Sequence, residues 1–146
     1  HPGDLDYIHS VERIGRLSNV ISINGGVQLD LMGQENAESA GTRQLSGIGG
    51  QMDFLEGAFR SKGGKGFICI NSSRVTKDGE RKSNIVAAIP GGSTVSAPRT
   101  MIDCVATEYG VVRLAGKSLR ERAEAMASIA HPDFREELMK YAREHF

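Results

Sequence analysis

The sequence has no tryptophan and only three tyrosines and five phenylalanines. That scarcity excludes the aromatic platforms on which single-stranded nucleic acids stack. It has no charge surplus either: 18 Lys and Arg offset 18 Asp and Glu, whereas a phosphate-backbone binder needs a basic excess. Nucleic acid is therefore not an expected partner. No apolar run approaches the ~20 residues that cross a bilayer, so no membrane partner is expected. There are two cysteines, Cys69 and Cys104, each in an apolar run, read as buried free thiols rather than a disulfide. Neither C-x-x-C nor H-x-x-x-H spacing occurs, which leaves a metal site without support. The start, His1-Pro2-Gly3-Asp4, lacks the basic and apolar regions of a signal peptide and is not an initiator Met. The expectation is a cytoplasmic segment cut from a longer chain.

What is present is ordinary globular composition over 146 residues, with 39% hydrophobic residues. That length predicts one domain, residues 1–146, large enough to bury a core. Glycine is the exception: 18 residues, roughly twice the usual ~7%. Such a surplus means many turns or backbone that comes close to a ligand.

Along the chain, residues 6–17 are mixed and partly helical. Asn19 to Ile23 is β-branched and reads as a strand, and Val27 to Leu31 alternates apolar and polar with period 2. Asn24-Gly25-Gly26 between them signals a hairpin. Residues 33–50 read as a long loop. Gln51 to Ser61 is a helix with Phe54, Leu55, Ala58 and Phe59 on one side. Phe67 to Ile70 is a short buried strand, Lys77-Asp78-Gly79-Glu80 a turn, and Asn84 to Ile89 the returning strand. Thr94 to Ser96 and Cys104 to Thr107 read as two further strands. The end is helical. Ser118 and Glu121 make a capping box, with Leu119, Ala123, Met126 and Ala130 at helical spacing. Pro132 suits a first helical turn, followed by Phe134, Leu138, Tyr141 and His145 on one face. Helices are predicted over 118–130 and 133–146.

The sharpest local feature is Gly47-Ile48-Gly49-Gly50-Gln51. Bare glycines let backbone N–H groups reach a ligand oxygen, and a helix start adds unpaired N–H groups and a positive dipole end. Read alone, the segment is either a tight entry into a helix or a cradle for a phosphate or an acyl-transfer oxyanion. It is not a dinucleotide fingerprint, because Met52 stands where a third glycine is needed. Gly116-Lys117-Ser118 is not a P-loop, because Val111 stands where its first glycine belongs. Those residues read as helix entry. Glu108, at the end of an apolar strand, is either a solvated end residue or an acid, base or hydrogen-bond group. Asn24 reads first as a turn residue and His131 as a helix-start residue. G-x-S-x-G is absent. Asn71-Ser72-Ser73 fits a glycosylation acceptor formally but without the secreted setting.

Taken together the motifs form a pattern. Val20-Ile21-Ser22-Ile23-Asn24, then Leu29 to Gln34, then the loop from Ser46 to Phe54 resemble the C-terminal part of the acetyl-CoA hydrolase/transferase family, which includes 4-hydroxybutyrate CoA-transferases. The resemblance continues through Val105 to Gly110, Leu114 to Ala123 and Ile129 to Arg135, all in family order from about residue 5 to the end.

The resemblance implies a CoA-transferase α/β fold, with a mixed sheet flanked by helices and two C-terminal helices. It implies an acyl-CoA:carboxylate transfer through a glutamyl-CoA thioester. Coenzyme A or acyl-CoA is then a substrate, with a small carboxylate beside it and no metal. Carried over, Gly50, beside Gly49, offers N–H groups to the thioester oxyanion. Gly47, Gly49, Gly50 and Gln51 line the CoA chain. Asn24 matches an auxiliary amide and Glu108 a second, non-nucleophilic glutamate. Two departures stand out. After Asn24 the family more often has Ser or Cys with Ala, where this chain has Gly25-Gly26. The nucleophilic glutamate lies upstream of the matched region: Glu12 is the one glutamate in the first thirty residues, and it falls in the segment leading into the first strand. The resemblance thus implies an N-terminal half that supplies the nucleophile, a homodimer when full-length, and a chain that is inactive alone. The alternatives are an acetyl-CoA hydrolase, in which water finishes the reaction, and a CoA-binding module without chemistry.

Overall fold

The computed structural model describes residues 3–146. His1 and Pro2, part of the start discussed above, lie outside the described residues. In chain order the elements are α1 (Leu5–Ile8), α2 (Val11–Arg16), β1 (Ile21–Gly25), β2 (Gln28–Asp30), β3 (Glu35–Asn36), β4 (Ser39–Ala40), β5 (Arg43–Gln44), α3 (Gln51–Arg60), β6 (Lys65–Cys69), β7 (Ser73–Val75), β8 (Arg81–Ser83), β9 (Ile85–Val86), β10 (Cys104–Thr107), β11 (Gly110–Arg113), α4 (Leu119–Ser128) and α5 (Pro132–His145).

The main sheet has the order β1-β6-β10-β11. β1, β6 and β10 run parallel, and β11 returns antiparallel. The pairing places Asn24, Ile68, Val105 and Val112 at one level of one face. Ile68 and Val105 are fully buried there, in a core with Leu55 of α3 and Ala123, Met126 and Ala127 of α4. Each buried aliphatic side chain of this kind contributes about 1.5–3 kcal/mol. The opposite face carries Ile21, Ile23 and Val111, which stay 51%, 69% and 62% exposed. That is an apolar face left open among the described residues. The overall class is the expected one, a mixed α/β domain.

Both C-terminal helices form where predicted. The Ser118–Glu121 capping box closes in both directions, and His131 caps α5 just before Pro132. Ala123, Met126 and Ala130 are buried, whereas Leu119 is 41% exposed. Arg122 of α4 is buried and donates to three backbone carbonyls: Met32 at 2.7 Å, Leu114 at 3.0 Å and Arg99 at 2.8 Å. It ties the turn after β2 to the start of α4.

Several local expectations are corrected. β1 and β2 are not a hairpin: β1 pairs with β6, while β2 joins a second sheet of order β3-β2-β9. The Asn-Gly signal is overridden because β1 finds its partner across a helical crossover. Residues 33–50 hold three short strands rather than a bare loop. The returning strand shrinks to Ile85–Val86, paired parallel to β2. Thr94 to Ser96 forms no strand; that stretch is followed by a single bridge, Ala97 to Glu35. β11 went unforeseen. Cys104 is buried as expected, but Cys69 is exposed, because it falls on the open face at the end of β6; both thiols are free.

Candidate active site

The three parallel strands end together at Gly25, Cys69 and Thr107. Just beyond them a shallow groove is lined by Gly26, Cys69, Ile70, Asn71, Ala106 and Thr107. In open α/β sheets the carboxyl ends of parallel strands are where ligands bind. A larger concavity lies elsewhere, between Phe59, Met101 and the Ala115–Leu119 segment. It is lined by Gly116, Lys117 and Ser118, read from sequence as helix entry, and by none of the candidate site residues Asn24, Gly47, Gly49, Gly50, Gln51 and Glu108.

Glu108 stands at the tip of the β10–β11 turn. Its carboxylate accepts from the Ser72 backbone N–H at 2.9 Å and from the Ser72 hydroxyl at 2.6 Å. Desolvation works to raise its pKa, but the two Ser72 bonds, with a smaller help from its own backbone and from His131, hold the carboxyl below its ordinary value. Ser72 is itself buried. Asn84 fixes it in place, its N–H donating to Ser72 O at 2.8 Å and its amide to Asn71 O at 2.8 Å. Glu108 is thus a positioned, exposed carboxylate next in sequence to Thr107, which lines the groove; Glu108 itself, Asn24 and the glycine loop are not in that lining.

Asn24, the penultimate residue of β1, is half-buried, and its amide donates to Ser22 Oγ at 2.8 Å. The glycine loop leads into α3 with Gly50 at the N-cap. Gly47 and Gly49 are exposed with open space around them. Gly49 has φ +60, a conformation in which glycine carries no side-chain penalty. Gly50 has φ −88 and is required for a different reason: a Cβ there would collide with the His9 ring. His9 had no reading from sequence. It packs edge-on against Phe54, with centroids 5.2 Å apart, and its Nδ1 is 3.3 Å from Asp53 Oδ2.

Gln51, the first residue of α3, is buried, and its amide donates to Glu35 Oε2. Glu35 is a second missed residue. It is 0% exposed, and burial pushes its carboxyl up to about 8 against the partial relief of the Gln51 bond. Gly26 lies against it. The structure therefore brings Gln51 to the carboxyl end of β1 through Glu35, and Glu108 to the carboxyl end of β6 through Ser72. No hydrogen bond among the described residues joins Asn24, Glu108 and the glycine loop to one another. Among the described residues no group of three or more His, Cys, Asp or Glu could hold a metal ion, and no helix is long and apolar enough to cross a membrane.

A mixed sheet with a Gly-rich entry to α3 and a fixed carboxylate near the carboxyl ends of its parallel strands defines an α/β domain with a candidate site at that edge. A match to the acetyl-CoA hydrolase/transferase C-terminal domain spans residues 3–142, and the chain belongs to that family. It is 44% identical over 138 residues to butyryl-CoA:acetate CoA-transferase of Anaerostipes caccae, covering 94% of this chain and 31% of that protein. It is 46% identical over 142 residues to 4-hydroxybutyrate coenzyme A transferase of Clostridium kluyveri, covering 97% and 32%. Among solved structures, 4-hydroxybutyrate CoA-transferase from Porphyromonas gingivalis superposes with a TM-score of 0.76 at 41% identity, covering 97% of this chain and 30% of that one. RipA from Yersinia pestis superposes with a TM-score of 0.78 at 39% identity, covering 95% and 29%. The chain thus spans about a third of the length of these relatives.

Proposed function

We propose that this chain is the C-terminal domain of an acyl-CoA:carboxylate CoA-transferase of the butyrate or 4-hydroxybutyrate type. The observation that carries the reading is the Ser72–Glu108 pair, an ionised carboxylate held beside the groove where the parallel strands end. The transferase relatives at 44% and 46% identity favour transfer over hydrolysis, since the acetyl-CoA hydrolase of Kluyveromyces lactis is 34% identical.

In this reading a glutamate outside the chain is the nucleophile. Its carboxylate attacks the thioester carbonyl, the C–S bond breaks, and CoA thiolate leaves an acyl-glutamyl anhydride. The thiolate then attacks the glutamyl carbonyl and expels the first carboxylate, leaving a glutamyl-CoA thioester. An incoming carboxylate reverses both steps. Splitting one hard step into two easier ones is the gain of covalent catalysis. The Gly49–Gly50 loop and the first N–H groups of α3 serve the oxyanion, and Gln51 and Gly47 line the CoA chain. Asn24 and Glu108 orient the nucleophile and the acyl group. The N-terminal half packs against this domain and completes the CoA site. The full-length enzyme is a cytoplasmic homodimer.

The test is transfer by the whole protein from butyryl-CoA to acetate, with 4-hydroxybutyrate as a second acceptor. New CoA esters formed in step with loss of the donor support transfer. Release of free CoA without a new ester would make the enzyme a hydrolase.

A further inference from the structure

The acyl-transfer reading makes no use of Glu35, although it is the most unusual side chain in the domain. Its backbone is pinned: its N–H donates to Ala97 O at 3.0 Å and its carbonyl accepts from Ser96 N at 2.7 Å. The side chain is therefore committed to the interior. Oε2 accepts from Gln51, while Oε1 is buried with no partner among the described residues. A Cβ at residue 26 would stand 2.5 Å from Oε1 and 3.2 Å from Ile70 Cγ2. Gly26 is thus the space the carboxyl needs. Gly26 and Ile70 also line the groove, so Glu35 lies directly behind its floor. The departure noted in the sequence, Gly25-Gly26 after Asn24, gains a physical reason at its second glycine.

No charge on the surrounding elements compensates this carboxyl. Asp30 of β2, Glu38 and Asp53 of α3 carry the same sign and are engaged elsewhere, by Gln34, Ser96 and His9, and no ion pair among the described residues includes Glu35. Leu29, Ala97, Ile70 and Gly26 bring none. A buried, unpaired carboxyl keeps its proton. We infer that Glu35 is a positioning residue of the acyl-transfer site, a neutral carboxylic acid that ties Gln51 at the head of α3 to the carboxyl end of β1 and so fixes the Gly49–Gly50 loop beside the groove. This rests on the acyl-transfer reading above. Loss of the proton strengthens the single Gln51 bond but leaves an otherwise unpaired charge in a dry interior, and the water it draws in behind Gly26 displaces the loop that the tie holds. The site is then competent below about pH 8 and fails above it.

The test is the pH profile of butyryl-CoA to acetate transfer by the whole protein, with the 13C shift of Glu35 Cδ followed in parallel. In the wild type, kcat falls about tenfold per pH unit above the midpoint. Glu35 Cδ and the Gln51 side-chain amide shift together at that midpoint. Glu35→Gln keeps an acceptor for Gln51 but cannot titrate, and the alkaline fall disappears. Gly26→Ala disturbs the Gln51 amide in the wild-type background and leaves it undisturbed in Glu35→Ala, which gives a coupling that does not depend on turnover. A Glu35 midpoint in the ordinary carboxylate range, or a Glu35→Gln profile that keeps the wild-type fall, overturns the inference. Coupled titration of Glu35 and Gln51 with no transfer at any pH would instead overturn the acyl-transfer reading, and with it the catalytic meaning of the tie.

Discussion

Ser72 gives Glu108 two hydrogen bonds at once, its backbone N–H at 2.9 Å and its hydroxyl at 2.6 Å, across a sequence separation of 36 residues. The pair joins the segment after β6 to the turn after β10, the two strand ends that flank the groove. In the whole enzyme Glu108→Ala should lower kcat more than it raises KM, by about 10²–10⁴-fold if the carboxylate acts on the reacting groups. Ser72→Ala removes one of the two bonds that hold the Glu108 pKa down. The pKa then rises, and the acid limb of the rate profile should move to higher pH. An unchanged kcat in Glu108→Ala would make Glu108 a solvated turn residue.

Gly50 separates steric need from chemical need. Gly50→Ala should cost about 10²–10³ in kcat if the loop N–H groups hold the oxyanion. The added Cβ also strikes His9, so the double variant Gly50→Ala/His9→Ala is the control. Thermal unfolding should recover in the double variant while kcat stays low. Full recovery of kcat would assign Gly50 to packing alone.

Arg122→Met keeps the aliphatic stem but removes the donors to Met32, Leu114 and Arg99. One buried and two part-buried carbonyls left without this donor should cost about 2–4 kcal/mol, read as a lower denaturant midpoint. Arg122→Lys should recover part of that loss, because one ammonium cannot span three acceptors. A cost under about 1 kcal/mol would show that water takes over the carbonyls.

Glu35 should also mark the pH dependence of stability. Its folded pKa of about 8 lies above its ordinary value of 4.5, so the folded state binds the extra proton. The contribution is fully present below about 4.5 and is lost as pH rises through about 8. The slope is about 1.4 kcal/mol per pH unit within that window. The wild type minus Glu35→Gln difference in unfolding free energy isolates it, and a flat difference would contradict the buried neutral acid.

Local chemistry made much of this domain legible. The Ser118–Glu121 box and Pro132 define two helix starts that need no tertiary help, and both helices appear. Asn24-Gly25 carries an equally local signal, yet the hairpin does not form, because β1 pairs in parallel with β6 across the α3 crossover while β2 pairs with β3 and β9. The glycine loop and Glu108 were readable as chemistry-bearing residue types. Ser72 and Glu35 were not, because their meaning lies in partners 36 and 16 residues away. The visible trace of Glu35 was the double glycine at 25 and 26, which departs from the family pattern. His9 left no trace, since its contacts with Gly50, Asp53 and Phe54 exist only once α2 and α3 pack together.

In the proposed reading this domain supplies a positioned carboxylate and an oxyanion loop to a nucleophile carried elsewhere. The most direct measurement compares the whole protein with this 146-residue chain alone, each incubated with butyryl-CoA and isotope-labelled acetate. The whole protein should form labelled acetyl-CoA with steady turnover, and the chain alone should form none. Steady turnover by the chain alone, or no labelled ester from the whole protein, would contradict the account.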